Sequence, residues 1–237
     1  MIVTTARLVL LTLILALGVA APAVAQPAGT LVVGLVAEPV NLDPAQVTDL
    51  NSNRVGRRIA ETLVTFPEES TQIVPGLAES WVVSKDGLRY TFKLRKGVSF
   101  HDGTPLDAEA VKFSIDRQIN PEHPFNKLGK YPFANFFFGN IKAVEVVDPL
   151  TVEFVLKEPR ASFLAVLTAG AASIVSPTAV RKYGQDYTLT PVGTGPFKYA
   201  SWDRGQRVVL EKNPSYWRSP SGSIASSIAR SSRTRPA

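Results

Sequence analysis

The chain has 237 residues, 45% hydrophobic and 19% charged, with 16 Gly and 18 Pro. This balance excludes a wholly disordered chain, a collagen or a coiled coil, and a single long apolar run argues against a polytopic membrane protein. Cysteine is absent, which excludes a disulfide framework, a thiol nucleophile, a thiolate zinc site and a lipobox. The formal charge is +6, but residues 27–217 hold 21 basic residues against 20 acidic ones, so the body gives no support for nucleic-acid binding.

The chain opens with Arg7, an apolar run from Leu8 to Ala20 and the small-x-small pattern Ala23-Val24-Ala25. This reads as a cleaved signal peptide, residues 1–25, with the exported form starting at Gln26 and not lipidated. An uncleaved membrane anchor is the alternative. Export without cysteine points to an oxidising compartment.

Residues 30–36, TLVVGLV, form a continuous apolar run that predicts a strand buried on both faces. Glu38-Pro39 and Asp43-Pro44 break it into a loop. Val55, Ile59 and Leu63 recur every fourth residue and predict an amphipathic helix over 53–64, with Asn51, Ser52 and Asn53 as competent caps. Asp86-Gly87 predicts a hairpin between Trp81–Val83 and Tyr90–Leu94, with Tyr90, Phe92 and Leu94 inward. Asp107 predicts the cap of a helix running to about Arg117, with Val111 and Ile115 inward.

Residues 120–140 carry two prolines and the aromatic run Tyr131–Phe138, which predicts an ordered loop pinned by aromatic packing. Lys142–Val147 and Thr151–Leu156 predict a second hairpin. Short helices are expected at Phe163–Leu167 and from Ser176-Pro177 to Gly184, and a late strand at Arg207–Glu211. Residues 218–237 hold seven serines and four arginines without an acid. They read as a disordered tail, either a basic interaction segment or a wrong-frame or truncated end.

Six segments in order and spacing resemble family 5 of the extracellular solute-binding proteins of ABC transporters, which bind dipeptides and oligopeptides. They are Pro75–Trp81, Ser84–Val98, Phe100–Pro105, Val111–Ser114, Pro191–Phe197 and Asn213–Trp217. The resemblance implies an α/β, type II periplasmic-binding-protein fold that is incomplete: part of lobe one, 27–50 and 169–217, plus a small β-rich α+β domain, 51–168. It implies a periplasmic, monomeric, non-enzymatic receptor with a peptide ligand, ABC permease subunits as membrane partners, no cofactor and no metal.

By the same resemblance Val36, Ala37 and Glu38 lie along the ligand and Thr48 lies near it. Exposed main chain after the first strand can pair with an extended peptide. Glu38 reads equally as a partner for the ligand's positive end or as a solvated loop residue, and Thr48 as a donor to a carboxylate or as a helix cap. The glycines of Pro191–Phe197 suit positive φ and close packing better than a phosphate cradle, which would need a lysine and a helix start. His101 and His123, beside Asp102 and Glu122, read as turn residues. An exported hydrolase is the competing class, but no nucleophile elbow or paired carboxylates support it.

Overall fold

The computed structural model describes residues 30–67 and 70–218, and the main chain of 225–230. The expected signal peptide and its cleavage site lie outside these residues. Among them, no helix is long and apolar enough to cross a membrane.

The larger sheet-and-helix layer is built from two hairpins. Strands β4 (Ala78–Val83) and β5 (Arg89–Leu94) join across Gly87, whose φ of +70° suits the turn. Strands β6 (Ile141–Asp148) and β7 (Thr151–Leu156) form the other hairpin, and β5 pairs with β7, giving the order β4-β5-β7-β6. Register sets Tyr90 opposite Phe154 and Phe92 opposite Val152, so the apolar faces of both hairpins coincide. Phe92 and Phe154 meet edge to face at 5.6 Å.

Helix α2 (Ala108–Ile119) covers that face with Val111 and Ile115. Its start is fixed as expected, because Asp107 accepts a hydrogen bond from the Ala110 N–H at 2.8 Å.

The second sheet contains β1 (Thr30–Leu35), β8 (Phe197–Asp203), β9 (Arg207–Lys212) and β10 (Ala225–Arg230), in the order β1-β10-β9-β8. Leu35, Leu42, Val208 and Leu210 pack with Val55 and Ile59 of helix α1 (Leu50–Ile59). Short helices α3 (Ala134–Phe138), α4 (Phe163–Val166) and α5 (Pro177–Tyr183) complete the helical set, with the two-residue strands β2 (Val64–Thr65) and β3 (Val74–Pro75).

Several expectations are corrected. Helix α1 runs 50–59, not 53–64. Asp49 caps it, accepting from the Ser52 N–H at 2.8 Å. It stops because the Ile59 carbonyl accepts the N–H of Gly195 at 2.8 Å, so Leu63 and Val64 leave as core residues beyond the helix. Strand β1 is not buried on both faces: it lies at a sheet edge with Leu31, Val32 and Val33 exposed. The aromatic loop contains α3 and a 3-10 turn over Asn126–Leu128.

Strand β8 has no counterpart in the sequence reading. Within the expected disordered tail, 225–230 is a strand, with Ser227 opposite Val209. That stretch lacks Gly and Pro, and β9 offers it unpaired main-chain groups.

The glycines of Pro191–Phe197 serve close approach, not positive φ. A Cβ on Gly193 would sit 2.3 Å from the Ile59 carbonyl oxygen and 2.6 Å from Ala60 Cα. Gly193→Ala is therefore expected to lower stability by about 1–3 kcal/mol, because main chain must move against main chain. A thermal midpoint equal to that of the unsubstituted chain would refute the close-approach role.

Candidate functional site

The loop after β1 is fastened at three points. Glu38 Oε1 accepts hydrogen bonds from Trp202 Nε1 and the Gly205 N–H, both at 2.9 Å. These bind the loop to the β8–β9 turn, where the Arg204 guanidinium lies 3.5 Å from the Trp202 ring centroid. The Val40 N–H donates to Ser52 Oγ at 2.8 Å, holding the loop to the first turn of α1.

The third fastening is buried. Arg117 of α2 donates from both terminal nitrogens to Asp43, at 2.7 and 2.8 Å. Both side chains are almost fully buried, and the guanidinium lies 5.8 Å from the ring centroids of Tyr131 and Tyr187. Burial pushes the Asp43 carboxyl up, but the Arg117 charge and hydrogen bonds, with those from Ala45 and Gln46, outweigh it and hold it below its ordinary value. Burial likewise opposes the Arg117 charge, and Asp43 more than restores it.

Just before the first fastening Val36 is 91% exposed and Ala37 is exposed, and Val40 is exposed although its N–H is held. Thr48 is also exposed. Asp49 performs the capping, so Thr48 does not cap the helix. Of the four sequence-singled residues, Val36, Ala37 and Glu38 share this loop, and Thr48 lies just before the helix that Val40 contacts. Glu38 is half-buried and engaged by Trp202, so it is not a simple solvated loop residue.

Residue identities alone missed the Asp43–Arg117 pair, because Asp43-Pro44 also reads as a loop breaker. The available signal was an arginine on the helix face that also carries Phe113.

A second node joins the segments around Glu61. Its carboxylate accepts from Thr194 Oγ1 at 2.9 Å, Trp217 Nε1 at 2.8 Å and Tyr216 OH at 2.8 Å. Burial and the Glu61 charge push the Tyr216 phenol up. Glu61→Gln is expected to cost about 2 kcal/mol, since three charge-assisted hydrogen bonds become neutral ones and the Tyr216 hydroxyl must turn to accept from the amide. Urea midpoints for the two proteins check this; equal midpoints would remove Glu61 from the framework.

His101 is likewise structural. Its Nε2 lies 2.9 Å from the Gly195 carbonyl oxygen and its Nδ1 3.4 Å from the Gly193 nitrogen. Asp102 instead accepts from Ser176 and Thr104. Among the described residues no group of three or more His, Asp or Glu is placed to hold a metal.

The sequence profile of the bacterial extracellular solute-binding proteins, family 5 (middle region), matches residues 72–230. A glutathione-binding protein, GsiB, from Salmonella paratyphi A is 37% identical over 205 residues, spanning 85% of this chain and 38% of that protein. Among solved structures, the periplasmic binding protein DppA of Helicobacter pylori in complex with the peptide STSA is similar with a TM-score of 0.79 and 35% identity. The match covers 85% of this chain and 42% of that one. The binding protein AgaA of A. tumefaciens R10, in complex with agropinic acid, gives 0.78 and 31%, over 86% and 40%. The chain thus spans about two fifths of the length of the relatives it matches, and its mixed α/β fold is part of a type II periplasmic-binding-protein fold. These relatives are binding proteins, not enzymes.

Proposed function

Because the chain belongs to the bacterial extracellular solute-binding proteins of family 5, we propose that it supplies lobe-one ligand contacts in the periplasmic receptor of an ABC importer for short peptides. The observation that carries this reading is the exposure of Val36 and Ala37 at the end of β1, directly before a loop fastened at Glu38, Val40 and Asp43. A rigid, exposed strand end can pair with an extended peptide without reading its side chains, and its rigidity lowers the ordering cost of binding.

In this proposal Glu38 holds the loop through Trp202 and places a negative charge near the ligand's amino end. Thr48 offers a hydroxyl to a ligand carboxylate. The similar proteins support a peptide-like solute: one binds glutathione, itself a tripeptide, and one holds STSA. The agropinic acid complex shows that this fold also accepts a non-peptide.

We further propose that the receptor is exported by a signal peptide cleaved before Gln26, acts as a monomer without cofactor, and delivers its ligand to ABC permease subunits after lobe closure. The division into 27–50, 51–168 and 169–217 also stays a proposal. The packing of Val55 and Ile59 against Leu35 favours keeping α1 with the first segment.

Calorimetric titration with dipeptides, tripeptides and glutathione tests the reading. Glu38→Gln keeps an oxygen for Trp202 and Gly205 but removes the charge. It should weaken binding of peptides with a free amino terminus about tenfold, the value of one charge-assisted contact, and leave N-acetylated peptides unchanged. Absence of any peptide or glutathione binding at millimolar concentration would overturn the proposal.

A further inference from the structure

The 22 residues from His123 to Val144 contain three lysines, six aromatic residues and no acid. The fold orders this segment around α3, and it does so asymmetrically. Phe138 and Ala134 are buried and anchor the helix, with Phe138 in the main core. Phe137 packs partly against that core. Phe136 precedes Phe138 by two positions, about 200° around a helix, and therefore faces away from the core. It is 71% exposed, with its ring 5.1 Å from that of Phe137.

The charges carried by this segment are all positive. Lys127, Lys130 and Lys142 are exposed, and none of them forms an ion pair among the described residues. Lys157 joins them from the end of β7, its ammonium donating to the Gly139 carbonyl at 2.6 Å, just past α3. The exposed acids on neighbouring segments are Glu122, Glu145 and Glu158. Glu145 lies 3.9 Å from Arg89, on the outer face of the sheet. Asp116, on α2, is paired with Lys112 at 2.6 Å.

A single exposed phenylalanine is ordinary. An exposed aromatic residue on a short helix anchored in the core, within a stretch that carries lysines and no acid, matches the chemistry of a membrane interface: rings at headgroup level and ammonium groups on phosphates. From this we infer that the α3 knob is a peripheral contact for an anionic phospholipid surface, with Phe136 inserting shallowly and Lys127, Lys130 and Lys142 meeting headgroup phosphates. Such a contact is weak. Each lysine contributes about fivefold to partitioning near an anionic leaflet, so three lysines and one ring hold the protein only transiently. Val36, Ala37, Glu38 and Thr48 take no part in it, so the contact stands independently of ligand identity.

The test uses the chain recovered after export, with vesicles of 30% phosphatidylglycerol in phosphatidylcholine and vesicles of phosphatidylcholine alone. Sedimentation should show binding to the first that falls steeply with salt, and little to the second. Lys127→Gln with Lys130→Gln should weaken partitioning about thirtyfold, and Phe136→Ser severalfold, with circular dichroism unchanged because all three side chains are exposed. Phe136→Trp should blue-shift on phosphatidylglycerol vesicles and be quenched by brominated acyl chains beyond any quenching of Trp81, Trp202 and Trp217 in the unsubstituted chain. Three results would overturn the inference: no binding at low salt, equal binding by the substituted proteins, or binding lost only on removal of residues 218–237, which would assign it to the basic tail.

Discussion

Arg117→Met should lower the stability of the chain by about 3–5 kcal/mol, the range seen when one partner of a buried ion pair is removed. Asp43 would keep its hydrogen bonds from Ala45 at 3.1 Å and Gln46 at 3.0 Å, but its charge would lose the guanidinium that offsets desolvation. Adding Asp43→Asn should restore more than half of the loss. Asparagine still accepts from the Ala45 N–H and brings no buried charge, while methionine fills the volume of the arginine stem.

The pH dependence separates this account from a simple packing defect. Without Arg117 the Asp43 carboxyl should titrate above its ordinary value, because burial, the largest effect on it, is then opposed only by the hydrogen bonds from Ala45 and Gln46. A folded-state pKa raised above the unfolded one adds stability as pH falls through it, so the deficit of the single variant should shrink in acid. Urea denaturation of the three proteins at pH 7 and pH 5 measures this. A double variant as unstable as the single, or a deficit constant with pH, would show that the pair does not hold the loop by charge.

The pair also bears on ligand binding. It clamps the loop at Asp43, seven residues beyond Val36, and the Leu42 N–H donates to Thr188 O at 2.8 Å beside it. If the loop is the peptide's pairing edge, Arg117→Met should weaken peptide binding even where the protein remains folded. Preorganisation is lost before structure is.

Periodicity and turn chemistry made the β4-β5-β7-β6 sheet and the helix that covers it legible. Tyr90, Phe92 and Leu94 alternate with charged residues, Asp86-Gly87 specifies a hairpin, and Asp107 is a cap with an apolar stripe behind it. In each case the signal and the structure it specifies lie within a dozen residues. What stayed hidden depends on long-range partners. The end of α1 is set by Gly195, more than 130 residues away, and nothing near Ile59 announces it. The Asp43–Arg117 pair and the triple acceptor Glu61 are likewise products of tertiary placement. Strand β8 stayed hidden because a bulge between Tyr199 and Ser201 breaks the alternation of Phe197–Asp203. The candidate loop was legible only through resemblance. Its exposure and fastenings came from the structure, and Glu38 proved to carry a framework contact that its identity did not reveal.

Lowering the pH from about 6.5 to about 4 should remove about 3 kcal/mol of stability through His101 alone. Burial pushes the His101 imidazole down to about 4. The hydrogen bond to the Gly195 carbonyl and the nearby Asp102 favour the charged form without overcoming burial, and Lys198 adds to the depression. In the neutral ring Nε2 carries the proton toward Gly195 O, and Nδ1 faces the Gly193 N–H. Protonation places a second N–H against that donor, inside the loop whose glycines already touch Ile59 and Ala60.

The unfolded chain takes up a proton near 6.5, its ordinary value, while the folded chain resists until about 4. The stabilisation is therefore fully present above 6.5 and declines as pH falls across that window, by about 1.4 kcal/mol per pKa unit of difference. His123 is also depressed, chiefly by burial, and acts in the same direction. The lowered carboxyls of Asp43 and Asp102 act at lower pH, because their unfolded values lie near 3.8. Urea midpoints measured from pH 7.5 to pH 4 should fall for the unsubstituted chain and for His123→Gln, and fall much less for His101→Gln. A His101→Gln profile parallel to that of the unsubstituted chain would mean that the glycine loop tolerates the charged ring.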